Sequence, residues 1–177
     1  MTGGPGKPLT YTYCVVDMEL TPEAVARESD WVHDQADTVV PLINSVREDL
    51  AMAFETRVES IDSQEYRTAV QEVFGDGDRA VNVAALVTLL RDLDVSGDHP
   101  GFIVDELLGR ELAGMIAGEQ PLRLLGEATF HYADVSTQAP THETAGADDL
   151  RAALAAGFQT RLAGWEWRAG ASPFKVG

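Results

Sequence analysis

The sequence predicts a mainly α-helical fold of the α+β class: a helical bundle around a buried central helix at about 79–93, with a small two- or three-stranded antiparallel sheet. Three observations support this prediction. Residues 79–93 are apolar around most of a helical circumference, as is typical of a helix buried on most sides. Apolar residues recur four apart in segments that begin near Leu42 and Leu150, which indicates amphipathic helices. Residues 9–18 and 127–136 instead alternate with a period of two, which indicates strands.

The N-terminal half is predicted to begin with a flexible Gly/Pro leader at 1–8, followed by the first strand. Thr21 and Pro22 are typical of a helix start, and Pro41 is expected to break that helix. A second helix is predicted over 42–61. Asp62 and Glu65 have capping-box spacing and predict the start of a third, which ends before the glycine at 75.

The C-terminal half is predicted to contain the central helix, a turn, and a helix over about 102–117 whose glycines indicate close packing against a neighbour. The second strand, a polar loop at 137–146 and a last helix from Asp148 follow. A two-stranded ribbon is stable only when it packs on other elements, so we expect it to lie on the helices. One globular domain is predicted over 9–168, with a flexible or partner-bound tail at 169–177.

The composition excludes several classes of function. Thirteen basic and 29 acidic residues give a formal net charge of −16, which would repel phosphate backbones and anionic lipids. We therefore expect no direct nucleic-acid or membrane partner. The single cysteine, Cys14, suits a reducing compartment, and the first residues do not resemble a signal peptide. These features predict a cytoplasmic protein, or a virion protein if the source is viral.

One loop has part of a calcium-binding pattern. Asp92, Asp94, Ser96 and Asp98 match the oxygen-ligand spacing of an EF-hand loop, with a glycine where the sharp turn is needed. Position 12 is Ile103 instead of a bidentate glutamate, so calcium affinity would be weak. An ordinary Asp/Gly turn is the alternative. No other cofactor is predicted.

A second candidate is an acid/base cluster. Asp30, His33 and Asp37 are spaced three and four apart, so they would share one face of a helix, and a histidine among carboxylates could ligate a metal or move protons. His131 and His142, near the predicted second strand, could form an acid/base pair. A solvated acidic helix face is the alternative explanation of the first group.

The aromatic C-terminus is the third candidate. Trp165 and Trp167 would lie on one face of an extended segment and, with Phe174, could bind a partner, although packing on the core is an alternative. Nucleophile and phosphate-loop motifs are not found in the sequence. The sequence therefore predicts a non-enzymatic interaction or assembly protein, such as a subunit of a cellular or viral complex, with a protein partner or a second copy of itself. The alternative is a small intracellular enzyme or ligand-binding protein with a pocket between the helices and the sheet.

Overall fold

A computed structural model describes residues 18–93, 104–137 and 145–166, which form seven α-helices. The leader at 1–8, the strand predicted to begin at residue 9, and the tail at 169–177 lie outside the described residues. The helices, in chain order, are α1 (Pro22–Asp34), α2 (Ala36–Ala53), α3 (Ser63–Phe74), α4 (Gly77–Asp92), α5 (Val104–Ala117), α6 (Leu122–Thr137) and α7 (Ala145–Arg161).

The prediction of a small antiparallel sheet is wrong. The described residues contain no strand, and their only β-pairing is an isolated antiparallel bridge between Val58 and Trp165. Residues 127–136, predicted as a strand, lie inside α6. The buried residues of α6 include Gly126, Phe130 and Ala133, which are spaced four and three apart. This spacing belongs to one helical face, and the short alternation around Phe130 is compatible with either structure.

The central helix is α7, not residues 79–93. Every residue from 152 to 160 is buried, and α7 packs against α2, α3, α4, α5 and α6. In α4, by contrast, Val81 and Leu89 are each 41% exposed. The middle of α7 is rich in alanine, and small side chains allow neighbouring helices to approach from every side. The prediction that residues 79–93 form the central helix, which relied on the large apolar residues of α4, is therefore wrong.

The predicted close packing of the helix at about 102–117 is confirmed. A Cβ atom added to Gly126 in α6 would lie 2.9 Å from the Ala113 carbonyl oxygen of α5, and one added to Gly157 in α7 would lie 2.9 Å from the same oxygen. Real Cβ atoms are essentially never closer than 3.0 Å to such a neighbour. The backbone of α5 at Ala113 is thus the point where three helices meet.

Helix boundaries agree with the sequence signals at two starts but differ at the first break and at the end of α2, which is Ala53 although the helix was predicted to run to residue 61. Thr21 Oγ1 accepts a hydrogen bond from the Ala24 amide at 3.1 Å, and the capping box of Asp62 and Glu65 is formed as predicted. The first break falls at Gln35, whereas Pro41 lies inside α2. Pro41 removes only one backbone bond in the second turn, and the neighbouring helices still hold α2 in place.

Candidate functional sites

The described residues of the acid/base candidate lie on three different helices: Asp30 and His33 on α1, Asp37 on α2 and His131 on α6. His33 lies in α1 with its Nδ1 3.4 Å from Asp34 Oδ1, while Asp37 lies beyond the break at Gln35, in α2. His131 is on α6, where its side chain is 59% exposed and Nε2 lies 3.6 Å from Glu106 Oε1. His142 lies outside the described residues. In the described part of the chain, no three His, Cys, Asp or Glu side chains are arranged to hold a metal ion.

The calcium-loop candidate is described only at its first residue. Asp92 is the last residue of α4, and its carboxylate lies 3.5 Å from the Nε of Arg91. Asp94, Ser96 and Asp98 lie outside the described residues.

Of the aromatic residues near the C-terminus, Trp165 packs into the core. It is 3% exposed, and its indole Nε1 donates a hydrogen bond to the Gln159 carbonyl at 3.2 Å. The alternative of core packing therefore applies to Trp165. Trp167 and Phe174 lie outside the described residues.

A buried arginine, which sequence reasoning missed, holds this end of the molecule together. Arg47 is 1% exposed. Its Nη1 donates to the Glu59 carbonyl at 2.7 Å, and its Nη2 donates to the carbonyls of Gln159 and Leu162 at 3.2 and 2.9 Å. Its guanidinium also lies 5.6 Å from the ring centroid of Trp165. Arg47 thus joins α2 to the C-terminal end of α7. The sequence did not predict this burial, because other charged residues of α2, such as Glu48, are exposed.

A cavity of about 740 Å³ opens beside this arginine. It lies along the short bridge at which the Glu166 amide donates to the Arg57 carbonyl at 3.1 Å. Two arginines, two glutamates and Trp165 are among the residues that line it. The lining residues are Arg57, Val58, Glu59, Arg161, Ala163, Gly164, Trp165 and Glu166.

A partly buried ion pair joins α1 to α4, with the Arg91 side chain 32% exposed. Glu28 of α1 is 4% exposed and receives two bonds from Arg91 of α4, at 2.6 and 2.9 Å. Burial lowers the pKa of Arg91, but the hydrogen bonds and negative charges of Glu28 and Asp92 together outweigh it, so the pKa is raised. The guanidinium also lies 5.5 Å from the ring centroid of Trp31. The pair links α1 to α4, and removing one partner would leave the other charge without its counter-ion.

The outer face of α6 carries an exposed apolar row. Leu124 is 61% exposed, Tyr132 47% and Val135 69%, and Ala128 between them is also exposed. The spacings of four, four and three place these residues on one side of the helix. We call this set of four residues the α6 stripe. Because the opposite side of α6 packs on the core, the helix is apolar on both sides, which is unusual for a surface helix.

Carboxylates border the α6 stripe. Arg123 donates to Glu111 of α5 at 2.8 Å and to Glu127 at 2.9 Å, and His131 faces Glu106 of α5. Both basic side chains of α6 therefore already face acids. We call Glu106, Glu111 and Glu127 the acidic margin. The result is an apolar row with negative charge along its α5 side.

The α6 stripe was missed because residues 127–136 were interpreted as a strand. A helical projection of 122–137 places Leu124, Ala128, Tyr132 and Val135 on one side, and Phe130 and Ala133 on the other. This second apolar side was the signal in the sequence that could have revealed the surface.

The described parts of the chain define an all-α domain built around α7 and exposing an apolar face on α6. None of its described helices is both long and apolar enough to cross a membrane. The chain belongs to the family DUF7984, a domain of unknown function, whose model matches residues 18–177. Comparison with curated proteins gave no match, and comparison with solved structures gave none either.

Proposed function

We propose that this protein is a non-enzymatic interaction protein, a subunit that assembles with another protein through the α6 stripe. The observation that carries the proposal is the exposure of Leu124, Tyr132 and Val135 in one row on a helix whose other side is already buried. Contiguous exposed apolar surface of this kind commonly marks a protein-binding site. The proposal places the protein in the cytoplasm, because its single cysteine suits a reducing compartment.

The energetics of the row support a contact that is specific but not strong. Burying a large apolar side chain contributes up to about 1.5–3 kcal/mol, so three such side chains contribute up to about 5–9 kcal/mol. Association costs roughly 4–15 kcal/mol in lost translational and rotational freedom. The stripe therefore needs additional contacts at its border, and the acidic margin provides groups that can make them.

The experiment is site-specific photocrosslinking in cells. A photoreactive phenylalanine analogue replaces Tyr132 in the stripe, and the matched control carries it at Val81, which is similarly exposed on α4. We expect covalent adducts to one defined protein at position 132 and not at 81, with the adduct identified by mass spectrometry. Binding of that purified protein should then be lost in Leu124→Glu. Equal labelling at the two positions, or none at 132, contradicts the proposal.

A second candidate function is the binding of a small dipolar ligand in the cavity beside Trp165. Its volume of about 740 Å³ falls within the range of small-molecule sites, roughly 300–1,000 Å³. A thermal-shift screen of amino acids and other zwitterions tests this candidate. It predicts a ligand that raises Tm for the wild type and not for Arg57→Ala, with the Leu124→Glu variant responding as the wild type does. If no compound shows that pattern, the ligand-binding candidate is rejected.

A further inference from the structure

We infer that the occupant of the α6 stripe is a basic amphipathic helix of a partner protein. This inference rests on the proposed function and names the partner's chemistry. Four features of the described residues support it. They are the shape of the stripe, the apolar face of α5 beside it, the negative charge along its border, and the small number of its side chains compared with a dimer interface.

The shape of the stripe matches a helix. Its residues run from 124 to 135 along α6, a length of about 17 Å at a rise of 1.5 Å per residue. The row is one side chain wide and follows the four- and three-residue spacing that two packed helices share. A partner helix with apolar residues at i, i+4, i+7 and i+11 presents a row of the same length, as in other helix-recognition sites.

The surface beside the stripe extends onto α5. Glu111 of α5 is bonded to Arg123 of α6, so this face of α5 adjoins α6. Leu107 precedes Glu111 by four residues, so it shares that face, and it is 44% exposed. A helix lying along the seam between α5 and α6 can therefore contact apolar side chains from both helices.

The charge beside the stripe selects a basic partner. Glu106, Glu111 and Glu127 all lie on the α5 side of the row, and the two bases among them, Arg123 and His131, already face these acids. The whole chain carries a formal charge of −16. Lysine or arginine on one flank of the partner helix would meet this margin and accelerate association, because complementary charge steers encounter.

A second copy of this chain fits the surface less well. It would bring an equal acidic margin and another charge of −16, and like charges across an interface are unfavourable. A stable dimer also needs about 800 Å² and roughly 20–30 residues per partner. The four residues of the α6 stripe supply only a small part of that, whereas a single docked helix requires no more than a row and its border.

Three synthetic peptides of about 18 residues, five helical turns, provide the probes. The first has a leucine row with lysine on the flanks, the second has the same row with glutamate flanks, and the third keeps the lysines but has serine in the row. Binding to the full chain is measured by calorimetry at about 0.05 M and about 0.3 M salt. We expect the lysine-flanked leucine peptide to bind at least tenfold more tightly than either of the others at low salt. Its advantage over the glutamate peptide should shrink at high salt.

Variants of the protein locate the binding. Leu124→Ser should weaken binding of the first peptide at least tenfold, and the double variant Glu106→Gln, Glu111→Gln should weaken it severalfold. Glu72→Gln is the matched control: it removes an exposed carboxylate of α3 and should leave binding unchanged. Circular dichroism verifies that each variant remains folded.

The outcomes separate this inference from the proposed function. If the lysine and glutamate peptides with a leucine row bind equally, or if the serine peptide binds as well as the leucine peptide, the basic amphipathic helix is refuted. If no peptide binds but crosslinking at position 132 still captures a defined protein, the proposed function stands and the partner class is wrong. If crosslinking at 132 captures a second copy of this chain and sedimentation shows a dimer, the inference is also refuted.

Discussion

Replacing Gly157 by alanine tests how closely α7 approaches α5. The added Cβ would lie 2.7 Å from Ile116 Cβ, 2.9 Å from Ile116 Cγ2 and 2.9 Å from the Ala113 carbonyl oxygen. The carbonyl belongs to the backbone of α5 and cannot rotate away as a side chain could. The two helices must therefore separate by several tenths of an ångström, and their other contacts must loosen with them.

The expected magnitude is the difference between two effects. Overpacking a well-packed core costs typically about 1–3 kcal/mol, and three contacts below 3.0 Å place this site in the upper part of that range. Alanine favours the helix over glycine by about 1 kcal/mol. We therefore expect Gly157→Ala to lower the free energy of unfolding by about 1–2 kcal/mol, and Tm by roughly 2–8 °C.

Urea unfolding followed by circular dichroism measures this effect. Gly77→Ala is the matched control, because nothing lies within 4 Å of a Cβ at that position; it should be as stable as the wild type or more stable by up to about 1 kcal/mol. Gly126→Ala repeats the test from α6 and should also destabilise the protein. If Gly157→Ala gains stability as Gly77→Ala does, the three helices are not as close at Ala113 as described.

Three further predictions concern other parts of the molecule. Arg47→Met should lower the free energy of unfolding by about 3–5 kcal/mol, measured in urea, since it leaves buried carbonyls without their donor. Arg47→Lys should recover only part of this loss. A loss below about 1 kcal/mol for Arg47→Met would contradict the role described. Burial raises the pKa of the Tyr66 phenol above its ordinary value of 10.0. The neutral Tyr66 phenol therefore contributes fully to the free energy of unfolding below about pH 10. Above that pH the free energy of unfolding declines by up to about 1.4 kcal/mol per pH unit. Tyr66→Phe should thus be less stable than the wild type near pH 7 but lose less stability between about pH 9 and 11, and parallel losses in the two proteins would argue against this reasoning. Finally, millimolar Ca²⁺ should leave Tm unchanged, because position 12 of the loop is Ile103; a rise in Tm that Asp94→Ala abolishes would show that the loop binds calcium.

The sequence identified local signals better than it identified the arrangement of helices. Caps at Thr21 and Asp62 depend on residues two or three positions away, so their side chains predicted the helix starts correctly. The choice of central helix depends on what packs around it. Large apolar residues made residues 79–93 look central, whereas the alanine-rich α7 holds that position because its small side chains admit neighbours on all sides.

The candidate site was harder to predict for a related reason. A period of two over a few residues does not separate a strand from a helix with apolar residues on two sides, and α6 is such a helix. Interpreted as a strand, residues 127–136 place Ala128, Phe130 and Tyr132 on one face, so the exposed Tyr132 was grouped with the buried Phe130. The burial of Arg47 could not be predicted either, because its partners include the carbonyls of Glu59, Gln159 and Leu162. Backbone acceptors of this kind leave no pattern in a sequence.

The position of α7 in the chain has a consequence for synthesis on the ribosome. α7 is the last of the seven described helices, and the bond between Arg47 and Leu162 spans 115 residues. At about 5–20 residues per second, the interval between the synthesis of these two partners is on the order of 10 s. During that time the inward faces of α2, α5 and α6 have no central helix to pack against, so the nascent chain exposes these apolar faces until α7 emerges. The domain can complete its folding only after α7 has been synthesised, and a chain that stops before α7 is a natural substrate for chaperones or proteases.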